Sequence, residues 1–160
     1  MLSACPNRLR ERSLPMANLA EFLAGEKKEQ VVDDCCSLID AEVKDKGGIS
    51  GLAIKAGYGA VKGVKPGFVR TVVTDLLPEF ASALDPVWQD AKKDGKAIGP
   101  YFSANTSRVA DALLAITDAK AQRAKSAVVK GTYEKLRGSA KKNVEAAVPR
   151  LGEMVQKYAP

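Results

Sequence analysis

A chain of 160 residues with 46% hydrophobic and 28% charged residues suits one soluble domain that buries a core without metal or disulfide support. It contains no histidine, which excludes histidine metal ligands and His-based catalytic dyads or triads. The net charge of +6 is unevenly placed: residues 120–160 carry ten bases and three acids, residues 16–119 twelve bases and fifteen acids, so the cationic character lies in the C-terminal quarter.

Aromatic residues make up only 6% of the chain, and Ala, Lys, Val and Leu dominate, which favours helices over strands. Of three cysteines, Cys35 and Cys36 are adjacent; on a helix they point about 100° apart and do not bridge. The odd count points to a reducing cytoplasm, and Cys35 and Cys36 are assigned to the core. No apolar run reaches the length of a spanning helix. No cofactor or metal motif is present.

Residues 1–15, with Arg, Pro and no hydrophobic period, read as a disordered extension, and residues 16–160 as a single helical domain. Asn18 is placed to cap a short helix through Leu23, closed by Gly25. From Glu26 to about Lys46, Val31, Val32, Cys35, Leu38, Ile39 and Val43 recur at helical steps. Residues 47–67 then gather seven of the 13 glycines, with Lys55, Tyr58, Lys62 and Lys65 and no acid. Ser50 reads as the cap of a glycine-rich helix, whose lysines share one side and whose Leu52, Ala53, Ala56, Gly59, Ala60 and Gly63 share the other. So small an apolar face suits close approach by another backbone, and helix 50–64 is expected to be the most buried in the molecule.

Pro66 suits the first turn of the next helix, which carries Val69, Val72, Val73, Leu76 and Leu77 and is expected to kink at Pro78 rather than stop. Asp85-Pro86 signals a new short helix bearing Trp88, the only tryptophan, as a core or loop anchor. Residues 95–105 form a loop whose Pro100-Tyr101-Phe102 packs down. Thr106 or Ser107 opens a helix with Val109, Ala112, Leu113 and Ile116. The helical pattern then runs almost to the end, with breaks expected at Gly131, Gly138 and Pro149.

Three segments recur in order: 31–41 with 109–119, 53–63 with 128–138, and 73–80 with 144–151. Asp40 matches Asp118, Lys55 matches Lys130, Tyr58 matches Tyr133, Gly63 matches Gly138 and Pro78 matches Pro149. The fold expected is therefore all-α: one domain of two three-helix pseudo-repeats, about 26–94 and 106–158, the third helix of each kinked at its proline.

The glycines have neither dinucleotide-fingerprint nor Walker spacing. Tyr58-x-x-x-Lys62 copies the Tyr/Lys spacing of short-chain dehydrogenases, but no cofactor fold accompanies it. Tyr58 and Tyr133 instead read as border residues with buried rings and wet hydroxyls, Lys55 and Lys130 lying along them. Asp40 and Asp118 read as structural, pairing with Lys55 and Lys130. Acid pairs such as Asp33/Asp34 and Asp90/Asp94 read as solvated surface.

The stretches GGISGLAIKAGYGAVKGVKPGF, LLPEFASALDPVW, RVADALLAITDAKAQR and YEKLRGSAKKNVEAAVP resemble an uncharacterised family of small bacterial helical proteins across most of residues 17–157. The resemblance implies one helical domain of bacterial origin and brings no catalytic or binding residues with it.

The function expected is a non-enzymatic helical module binding a protein partner or itself. The alternative is peripheral binding to anionic lipid or nucleic acid through Lys120, Arg123, Lys125, Lys130, Lys135, Arg137, Lys141 and Lys142. An enzyme using Tyr, Lys or carboxylates between the repeats ranks last.

Overall fold

A computed structural model describes residues 17–160; the extension expected over residues 1–15, with Cys5, lies outside the described residues. The described chain is helical, with no strand among those residues: α1 Leu19–Leu23, α2 Lys28–Asp45, α3 Gly48–Lys62, α4 Phe68–Lys93, α5 Ile98–Ala104, α6 Thr106–Gln122 and α7 Ala127–Tyr158. The long helices α4 and α7 organise the rest. α4 packs against α1, α2 and α6, and α7 packs against α3, α5 and α6. One core joins them, centred on Leu19, Val31, Leu84, Phe102, Val109 and Val155, all essentially without solvent exposure.

Local chemistry accounts for several boundaries. The Asn18 side chain accepts a hydrogen bond from the Glu21 backbone N–H at 3.1 Å, as its capping position predicts. Gly67 lies in the left-handed region (φ 69°) immediately before α4, a conformation that glycine adopts without Cβ strain. Pro66 therefore precedes the helix instead of forming its first turn. α3 starts at Gly48 behind Gly47, with no side-chain cap bond; Ser50 sits inside it.

Five expected breaks are absent. Asp85-Pro86 starts no new helix, because α4 runs unbroken through both Pro78 and Pro86. The Asp85 carboxylate is used elsewhere: Oδ1 accepts the Leu19 backbone N–H at 2.7 Å, capping α1 from the side of α4. Residues 98–104 are helical rather than looped, and Phe102 within them is fully buried. Gly131, Gly138 and Pro149 all lie inside the continuous α7. Residues 106–158 therefore form two helices rather than three, and a second three-helix unit does not form.

Trp88 is the core anchor expected, with its indole N–H donating to the Ala159 carbonyl at 2.8 Å. Cys35 and Cys36 are free thiols and only half buried. Cys35 packs with its sulfur 3.6 Å from Met154 Sδ, and burial pushes its pKa up to about 12.

Candidate functional site

α3 is the helix on which expectation and structure part most clearly. One side turns inward, with Gly51 buried and Ile54, Gly57, Tyr58 and Val61 half-buried. Gly57 meets α7 so closely that an added Cβ would stand 2.9 Å from Thr132 Cγ2 and 3.0 Å from Leu136 Cδ1. The opposite side faces solvent. Ile49 is 89% and Leu52 68% exposed, and Ala53, Ala56, Gly59, Ala60 and Gly63 are exposed with them. A Cβ at Gly59 would meet nothing within 4 Å. The expectation that α3 is the central, most buried helix is thus overturned. The reason is physical: α3 carries two apolar strips, and the one with Ile54, Tyr58 and Val61 packs because Gly57 within it lets α7 approach closely, while the strip with Ile49 and Leu52 is left in water. Lys135 on α7 is exposed, as expected.

The paired residues Asp40 and Asp118 each hold a tyrosine and a base. Tyr58 donates its hydroxyl to Asp40 Oδ1 at 2.6 Å, and Lys62 Nζ lies 3.7 Å from the same oxygen and 5.1 Å from the centre of the Tyr58 ring. Tyr133 donates to Asp118 Oδ1 at 2.5 Å, while Arg137 grips both Asp118 oxygens at 2.7 and 3.0 Å. The same aligned Asp and Tyr positions therefore make the same bond twice. The bases differ from those expected: Lys62 and Arg137, four residues after each tyrosine, take the places assigned to Lys55 and Lys130, which are exposed and make no ion pair among the described residues. The hydroxyls are bonded to carboxylates rather than left in water. Gly63 ends α3, whereas Gly138, Pro78 and Pro149 lie exposed within longer helices.

Both tyrosines and Asp118 are shifted further from neutral pH. Burial, then the Asp40 bond, raises the Tyr58 pKa. Burial, then the Asp118 bond, raises that of Tyr133. The bonds from Arg137 and then Tyr133 lower that of Asp118. A raised tyrosine pKa stabilises the fold below the free value near 10 and is lost as pH climbs through the folded value, because the unfolded chain ionises first. The Tyr58→Phe/Tyr133→Phe double variant is expected to lose less melting temperature than the wild type on raising the pH from about 9 to about 11; thermal denaturation across that range measures it.

Of the eight basic residues proposed to meet an anionic surface, the fold engages three. Lys120 pairs with Glu79 at 3.0 Å, Arg137 with Asp118 and Lys141 with Asp111 at 3.0 Å. Arg123, Lys125, Lys130, Lys135 and Lys142 are exposed and have no ion-pair partner among the described residues. Four of these five lie between the end of α6 and residue 135, and α3 packs on the same stretch of α7 through Gly57. The exposed apolar strip of α3 thus belongs to a helix packed on this cationic stretch of α7, and Lys55 and Lys65 on and just after α3 are likewise exposed and without an ion-pair partner among the described residues. The acids of α2 are used differently: Asp33 and Glu29 receive Arg70, Glu42 and Asp45 receive Arg150, and Asp34 receives Lys157 and Tyr158. Asp90 receives Arg108 at 2.8 Å. These are ties between helices. No group of three or more His, Cys, Asp or Glu among the described residues is placed to hold a metal ion.

Residues 19–159 match the model of DUF6918, a family of unknown function, and the chain belongs to that family. No curated protein and no solved structure matches it.

Proposed function

We propose that this member of a family of unknown function is a non-enzymatic helical interaction module whose partner is an anionic membrane surface, met by the outer strip of α3 with the unpaired cations of residues 123–142 beside it. One observation carries the reading: α3 leaves Ile49 and Leu52 in water along an uncharged strip. An exposed apolar helix face rimmed by lysines is the pattern of a helix that lies in the headgroup plane, its apolar side in the acyl boundary and its cations on anionic lipid. Residues 47–67 contain no acid to oppose such an approach. No helix among the described residues is long and apolar enough to cross a membrane, so the attachment is to the surface.

Flotation with phosphatidylcholine vesicles, with and without phosphatidylglycerol, tests the reading. Binding is expected only to the anionic vesicles, falling as salt rises and lost in Ile49→Glu/Leu52→Glu. Absence of flotation at low salt would overturn it. The row of small residues supports a second reading, in which a second copy packs its α3 on this one. Light scattering without lipid decides between the two: a dimer dispersed by Ile49→Glu/Leu52→Glu favours self-association. Salt-sensitive binding to nucleic acid that survives that variant would instead give the surface to the cations alone.

A further inference from the structure

Beneath the surface features, five helices line an apolar pocket of about 230 Å³ that opens to solvent. Its inner wall is buried and comes mainly from α4, with Val73, Leu77, Ala81 and Leu84. Leu38, Ile39, Leu113 and Val144 are half-exposed and bring it to the surface between α2, α6 and α7. Protein interiors leave few gaps larger than a water molecule, so an apolar recess of this size reaching down to the buried face of α4 leaves core side chains without packing partners.

Water is a poor occupant. A buried water needs two to four polar partners. The only hydroxyl in the lining is Thr117, whose single proton is shared between the Leu114 carbonyl at 3.2 Å and the Tyr133 hydroxyl at 2.8 Å. No buried side-chain nitrogen or oxygen among the described residues lacks a partner. The Cys35 thiol lines the space in its neutral form and turns its sulfur to Met154. Nothing in the wall offers a charge or a free donor to a polar ligand.

Shape selects among apolar ligands. The lining extends along α4 from Val73 to Leu84 and along α7 from Val144 to Met154, which at 1.5 Å per residue is roughly 15 Å on each helix. Along α2 and α6 it covers only residues 35–39 and 113–117. The space is therefore long and narrow. An engineered apolar cavity of about 150 Å³ stays dry and accepts benzene, so the volume here scales to roughly nine or ten carbons.

We propose that this cavity is a binding site for one unbranched hydrocarbon chain of medium length, either free or as part of a larger lipid. The site is separate from the outer strip of α3, which contributes no residue to it, so it can stand or fall independently of membrane attachment.

The test is thermal denaturation of the full chain with 1-decanol, with naphthalene, and with phosphatidylcholine vesicles as a donor of tethered chains. Decanol is expected to raise the melting temperature by several degrees and naphthalene to leave it unchanged. The vesicles separate the two sources. A rise with decanol alone assigns the site to free chains, and a rise with vesicles too, with lipid recovered on the re-isolated protein, assigns it to lipid chains. Ala147→Phe, which fills the cavity from α7, should melt at or above the wild-type temperature and lose the decanol shift. Should that variant not fold, Leu113→Phe fills the space from α6 and is read in the same way. A folded wild type indifferent to decanol, an equal response to naphthalene, or a decanol shift that survives in the filled variant would each overturn the proposal.

Discussion

Gly152→Val should destabilise the protein by about 3 kcal/mol, at the upper end of overpacking costs. α7 crosses α5 at this residue, and an added Cβ would stand 3.0 Å from the Gly99 carbonyl oxygen, 3.0 Å from Phe102 Cβ and 3.2 Å from Gly99 Cα. Two of those atoms are backbone and the third is the root of a fully buried side chain. None can rotate away, so the helices must separate. Separation also strains the bond from the Gly99 N–H to Gln156 Oε1, now 2.9 Å. A urea titration should show a lower midpoint with an unchanged slope. Gly59→Ala is the matching control. It sits in a helix with nothing near its new methyl, and is expected to stabilise by about 0.5–1 kcal/mol. A Gly152→Val protein as stable as the wild type would show that α5 does not pack on α7 as described.

Trp88→Ala should cost about 3–5 kcal/mol, the range for emptying a large aromatic site in a core. The ring is buried, lies 5.6 Å between centroids from Phe22, and has Lys92 Nζ 5.8 Å from its centre. Its N–H ties the segment after α7 to α4 through the Ala159 carbonyl. Trp88→Phe separates the two contributions. It keeps most of the ring but leaves that carbonyl without its donor, at a cost of about 1–3 kcal/mol. Circular dichroism is the probe, since Trp88 is the only tryptophan and both variants lack its fluorescence. Equal losses in the two variants would assign the whole effect to the hydrogen bond.

The helical class, the Asn18 cap, α2, the start of α6 and the passage of α4 through Pro78 were all legible in periodicity and capping chemistry. Other features depended on partners that periodicity does not contain. Asp85-Pro86 has the form of a helix start, yet the carboxylate caps α1, 66 residues earlier in the chain. Gly99-Pro100 has the form of a loop, yet Gly99 is small because α7 passes over it. Small residues allow close packing without requiring it: in α3, Gly57 is used in this way and Gly59 is not. Lys62 and Arg137 could have been found, since each lies one helical turn after its tyrosine. Lys55 and Lys130 lie one turn before, and sequence spacing alone did not separate the two choices. The cavity had no signal, because the residues around a void are of the same kinds as those of a filled core.

Residues 17–19 and 159–160 are fastened to one short stretch of α4. Leu19 and Ala17 bond to Asp85 and Gln89, while Ala159 and Pro160 bond to Trp88 and Lys92. Seven residues of helix, roughly 10 Å, separate the first of these anchors from the last. The path from residue 17 to residue 160 is therefore almost a closed ring with α4 as its clasp. A short linker could join residue 160 to residue 17 and a new opening be made between α6 and α7, a circular permutation of this stretch that keeps every helix intact.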